Sequence, residues 1–147
     1  MASEEKRLVH PGVWKASAWF LQNSLDAFVG LHDGKFAWVN DTWCAITGWS
    51  QAESTGRPYS DFLFNDDVAA AMAEIDDLPL EGKTVFTHRI AAASGGWLWL
   101  QHHAVRGRDG WVLMILRDIS AERQREIDNA QARSVSAMVR HTAGVTP

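Results

Sequence analysis

Apolar residues recur along this chain with two different periods. Over residues 13–25, VWKASAWFLQNSL, Trp14, Ala18, Leu21 and Leu25 fall at 4-3-4 spacing, and Trp19 and Phe20 widen the stripe. That pattern predicts an amphipathic helix. His10-Pro11-Gly12 is a breaker, so a flexible tail is expected over residues 1–12. AFVGLH (27–32) and KFAWVN (35–40) read as strands, and the Asp33-Gly34 between them predicts a hairpin, because both central turn residues need positive φ. Asn40-Asp41 offers an N-cap to TWCAIT, and Gly48 closes that short helix. Residues 50–62 read as irregular. Asn65, followed by Asp66 and Asp67, predicts a second N-cap, for a helix VAAAMAEI that stops before Pro79. TVFTHRIAA (84–92), WLWLQHHAV (97–105) and WVLMILR (111–117) read as strands, separated by Ser94-Gly95-Gly96 and Arg108-Asp109-Gly110. Three strands joined by such turns predict an antiparallel meander.

The last strands do not alternate cleanly. Trp97 and Trp99 oppose Leu98 and Leu100, and Trp111 and Leu113 oppose Val112 and Met114, so both faces are apolar. A sheet with one wet face alternates apolar with polar. The outer face therefore needs a cover, and the helix over 13–25, from the same chain or a second copy, is the candidate. A homodimer is expected, with Trp14, Ala18, Trp19, Leu21 and Leu25 at its interface. After the last strand, Ile119, Arg123, Ile127, Ala130, Ser134 and Ala137 follow heptad-like spacing with few large apolar members. That seam is too weak to dimerise alone.

Composition narrows the classes. The chain has 147 residues and a formal charge of −4, which fits one domain with an extension and gives no basic footprint for nucleic acid or an anionic membrane. No apolar run approaches the roughly 20 residues that span a bilayer. One cysteine excludes an internal disulfide framework. The charged start lacks an apolar signal segment, so the cytoplasm is the expected compartment.

Four segments, in order, resemble those of the PAS domain family: VNDTWCAITGWS, GRPYSDFLFNDD, ASGGWLWLQHHAV and RDISAERQRE. Ser94-Gly95-Gly96 departs from that family's usual Lys-Asp-Gly turn, and Ser120 replaces its threonine. The resemblance spans about residues 15–125. It implies an α+β fold, a five-stranded antiparallel sheet with short helices on one face. A flanking helix (13–25) would precede a core (26–118), and a signalling helix with its tail (119–147) would follow. It also implies that Asp118, Ile119 and Ser120 relay a signal to that helix. Locally, Asp118 or Ser120 can cap the new helix while Ile119 packs back on the domain.

Enzyme motifs are absent: no phosphate loop, nucleophile elbow or kinase signature occurs. His102 and His103 are adjacent on a strand, so they face opposite ways and cannot chelate together. His88 and His102 lie on strands expected to pair. Residues 41–76 hold no histidine, which removes the family's commonest haem ligand position. Cys44 lies outside any segment like the one that forms flavin adducts in the light-sensing branch. The expected core is filled by its own side chains, with no cofactor; a small-molecule ligand, flavin or haem are the alternatives. The family's pocket geometry implies a lining of Phe28, Trp38, Trp43, Ile46, Phe62, Trp99 and Met114. His141 opens HTAGVTP, which lacks the acid of a kinase phospho-acceptor box, and reads as a tail residue. The expected function is a sensory or interaction module, from a sensor histidine kinase or as a stand-alone protein docking on other signalling proteins. The rival is a small ligand-binding enzyme using His102 or His103.

Overall fold

The computed structural model describes residues 11–145, with side chains from 16 to 139. The expected tail lies outside the described residues apart from Pro11 and Gly12, which open the first helix, and so do the side chains of Trp14 and His141. The order is α1 (Pro11–Gln22), β1 (Ala27–His32), β2 (Lys35–Val39), α2 (Asp41–Thr47), α3 (Gln51–Ser54), a 3-10 turn (Tyr59–Phe62), α4 (Asn65–Asp76), β3 (Lys83–Ala91), β4 (Trp97–Arg106), β5 (Trp111–Asp118) and α5 (Ser120–Val145). The five strands form one antiparallel sheet in the order β2-β1-β5-β4-β3. The meander and the first hairpin stand as the sequence predicts. At the hairpin, Asp33 and Gly34 both have positive φ, 51° and 80°.

Asn40 ties the first elements together. Its Oδ1 accepts from Trp43 N (3.1 Å) and Phe28 N (3.0 Å), and its Nδ2 donates to Leu21 O (2.6 Å) and Asp26 O (3.1 Å). The side chain is fully buried with all its capacity on backbone groups, so it caps α2 and also fixes where α1 meets β1. Here the helix predicted over 13–25 is corrected: α1 ends at Gln22, and Leu25 is a loop residue 96% exposed. The carbonyls of Leu21 and Ser24 are taken by Asn40 and Thr42 instead of by further helical turns.

Residues 50–62 are not irregular. Ser50 and Glu53 form a reciprocal capping box that starts α3. Nor does Asn65 cap α4: it is the first helical residue, and no side chain caps that terminus.

The inner face of the sheet and the short helices enclose the core. Phe36 lies 5.1 Å from Trp43 and 5.0 Å from Phe62, with Tyr59 at 6.0 Å, and Trp43 Nε1 donates to Ser54 Oγ at 3.0 Å. The outer face carries Val85, Trp111, Leu113 and Ile115, all exposed, so the chain does not cover it with α1.

Candidate functional site at the strand-to-helix junction

Strand β5 stops opposite Leu100, short of the start of β4 at Trp97, and the sequence around Asp118 serves the next residue of β4. In an antiparallel ladder every second residue turns its N–H and C=O toward a given neighbour. Trp99 of β4 turns both toward β5, but β5 stops at Asp118, paired with Leu100. The exit segment completes the ladder: Ile119 N donates to Trp99 O at 2.9 Å, and Trp99 N donates to Ser120 Oγ at 3.0 Å. Asp118 Oδ1 accepts from Ser120 N at 2.9 Å, and Arg123 N then starts the helical bonding onto Ile119 O. The start of α5 is stapled to the sheet at one residue.

That residue is also a stacking platform. The Arg123 guanidinium lies 4.3 Å from the Trp99 ring, and that of Arg89 lies 5.0 Å from it. Arg89 continues the chain of contacts away from α5. Its Nε and Nη2 donate to Asp67 Oδ2 (3.0 Å) and Oδ1 (2.8 Å), its backbone N donates to the same carboxylate (2.8 Å), and it stacks on Phe64 at 4.0 Å. The Arg89 hydrogen bonds hold the Asp67 carboxyl below the usual carboxylate range. Asp67 sits in the first turn of α4, so helix α4, strand β3, strand β4 and helix α5 meet in one chain: Asp67, Arg89, Trp99, Arg123. Sequence reasoning missed Arg89 and Arg123. Arg123 was legible only as a heptad position, and Arg89 carried no signal at all.

The remaining expected residues fall in two places. Trp43, Phe62 and Met114 are in the core with Ile46 packed against it. Phe28, Trp38 and Trp99 are corrected: they stand on the opposite face of the sheet and line no interior pocket. Strand alternation decides this, since Phe28 pairs with Ile115, Trp38 with Gly30 and Trp99 with Arg89, all on the outer face. Trp38 instead borders a surface groove with Ala18, Trp19 and Leu21 of α1. Ala18 and Trp19 are exposed and Leu21 is half-buried.

Inside the core, His102 is fully buried and His103 is exposed. His102 Nδ1 lies 2.9 Å from Leu100 O, which only accepts, so Nδ1 carries the proton and Nε2 accepts from Tyr59 Oη at 2.6 Å. Burial pushes His102 down to about 3 and the Tyr59 hydroxyl upward. Both ring nitrogens are committed, leaving His102 no lone pair for a metal. His88 does approach His102, with ring centroids 6.4 Å apart, but no group of three metal-ligating side chains occurs among the described residues. Cys44 is half-buried with its thiol pushed up by burial, the environment of an inert thiol. Phe36, Trp43, Tyr59 and Phe62 fill the interior between the sheet and the short helices. A cavity of about 300 Å³ lies at the Asp33/Gly110 end, lined by Leu31, Tyr59, Met72, Ile75 and Val112.

Comparison with known proteins agrees with this architecture. The family model described as the PAS fold matches residues 36–113. The chain belongs to the PAS family. Similar solved structures include the PAS domain of an HTR-like protein from Haloarcula marismortui (24% identity, TM-score 0.66, 81% of this chain and 100% of that one). Others are a PAS domain from Colwellia psychrerythraea (22%, 0.67, 74% and 98%) and a domain of a sensory box sensor histidine kinase/response regulator from Geobacter sulfurreducens (20%, 0.61, 71% and 92%). No curated protein sequence matches the chain. No helix among the described residues is long and apolar enough to cross a membrane.

Proposed function

We propose that this chain is a PAS sensory module whose output is the displacement or release of α5, and that it works as a homodimer in a sensor histidine kinase. The observation that carries this reading is the Trp99 junction. One residue supplies the last ladder bonds to the exit segment and the surface on which Arg123 rests. Because Arg89 joins that surface to Asp67 in α4, a ligand or partner that shifts α4 changes what α5 is docked against. A two-state docking of this kind needs a bias of only a few kcal/mol to switch populations. The histidine kinase assignment is supported by the sensor-kinase domain among the similar structures, and by an exit helix long enough to continue into a partner module. The exposed apolar outer face supports the dimer.

The test joins Val145 to a histidine kinase catalytic core in a continuous helix and follows autophosphorylation. Replacing Asp118 and Ser120 together by alanine is expected to change the rate several-fold while the circular dichroism of the PAS core stays unchanged. An unchanged rate would remove the junction from the output.

A further inference from the structure

The sheet has two edges, and they are treated differently. Edge strand β2 is bridged by the segment after α3, where Phe36 N donates to Arg57 O and Gly56 N to Phe36 O. Edge strand β3 is covered over only part of its length. Arg89 turns its N–H to Asp67 and its C=O to Phe64 N, away from β4, and the next residue of that parity, Ala91, turns its C=O to Trp49 Nε1. The β3–β4 register runs without a shift from Lys83↔Val105 to Ala91↔Trp97. Lys83, Val85 and Thr87 share the parity of Arg89, so their N–H and C=O groups also point outward from the sheet. Among the described residues nothing pairs with them.

Beside this open stretch lies a groove of about 500 Å³ between β3 and α4, lined by Ala70, Ala73, Glu74, Asp77, Lys83 and Thr84. Ala70 and Ala73 keep that side of the helix low. Glu74 and Asp77 set two carboxylates against the one ammonium of Lys83, and Glu74 reaches the strand, accepting from Thr84 Oγ1 at 3.4 Å. On the outer side of the same edge Val85 is 55% exposed, flanked along β3 by Lys83 and Thr87 and paired across the sheet with His103 of β4.

We infer that Lys83–Thr87 is a strand-addition site for an extended basic segment of a partner protein. Such a segment would pair its backbone with the outward groups of Lys83, Val85 and Thr87 as a sixth strand. Alternation then dictates its side chains: basic residues facing Glu74 and Asp77, and apolar residues continuing the outer face beside Val85. A second copy of the chain is a poorer occupant. Two-fold pairing of two β3 edges keeps both α4 helices on one side of the joined sheet, flanking the new strand pair, and so gathers the Glu74 and Asp77 of both copies there. This site is separate from the Trp99 junction, and its failure would leave the relay untouched.

The test measures the fluorescence anisotropy of a labelled peptide of alternating lysine and valine with the full chain, against a peptide of alternating glutamate and valine. The lysine peptide is expected to bind and the glutamate peptide not. Val85→Pro deletes an outward N–H that the fold does not use, a position where an edge strand tolerates proline. The Glu74→Gln/Asp77→Asn double variant removes only charge. Each is expected to weaken binding about tenfold or more, and the Val85 and Thr87 amides should become protected from exchange on binding. Absence of binding, equal binding of both peptides, wild-type binding by the charge variant, or amides already protected in a doubled mass would overturn the inference.

Discussion

At the scale of single residues, Asn40 and His102 are buried polar side chains whose nitrogen and oxygen atoms are all hydrogen-bonded. His102 illustrates the consequence. Its folded-state pKa is depressed from 6.5 to about 3, so an unfolded chain takes up the proton first. Stability from its neutral burial is therefore complete above about pH 6.5 and is lost as pH falls toward 3. Thermal melts are expected to show the melting temperature rising across that window. The double variant His102→Phe/Tyr59→Phe, which leaves no orphaned hydroxyl, should flatten the rise; an unchanged slope would place the titration elsewhere. Asp67 pushes the same way at lower pH, since its pKa is also depressed and its stabilisation disappears as the pH drops below the usual carboxylate value. Trp43 is an ordinary core case: fully buried against Phe36 and Phe62, its replacement by alanine should cost about 3–5 kcal/mol in denaturant unfolding.

At the scale of elements, the junction between β5 and α5 explains why an apolar strand ends at an aspartate. Strand β4 runs past the end of β5, and Asp118-Ile119-Ser120 supplies the donor and acceptor that Trp99 needs while turning the chain into a helix. Trp99→Ala keeps these backbone bonds but removes the ring on which Arg123 rests, and should loosen α5 more than the core. Amide exchange is expected to speed up through the first turns of α5 while Leu100, Ala104 and Met114 keep their protection. Equal acceleration in both regions would show that Trp99 serves the core and not the helix.

At the scale of the whole molecule, the unsatisfied feature is the outer sheet face, where Trp111, Leu113 and Ile115 stand exposed on β5. Contiguous apolar surface of this kind marks an interaction site. If two copies cover it, Trp111→Glu/Leu113→Glu should convert dimer to monomer by light scattering with the fold retained. Trp19→Glu, on the exposed side of α1, tests whether that helix takes part; a dimer that survives both changes would take the outer face and this side of α1 out of the interface.

The turns, the caps of α2 and α3, the strand periods and the order of elements were decided by the sequence itself. Each depends on residues within a few positions of one another: positive φ at Asp33-Gly34, an Asn40 cap, the Ser94-Gly95-Gly96 turn between β3 and β4. Even the α3 capping box, Ser50 with Glu53, was written locally. What only the tertiary structure decided is which face of the sheet each residue joined and which distant groups met. Phe28, Trp38 and Trp99 look the same as core aromatics in sequence, and the strand register alone turns them outward. Leu25 lost its helix because Asn40 and Thr42, from beyond β1, claimed the carbonyls of the α1–β1 connection. The Asp67–Arg89–Trp99–Arg123 chain joins residues that no local period connects, since only the assembly of the sheet brings the β3 edge, the start of β4 and the start of α5 side by side.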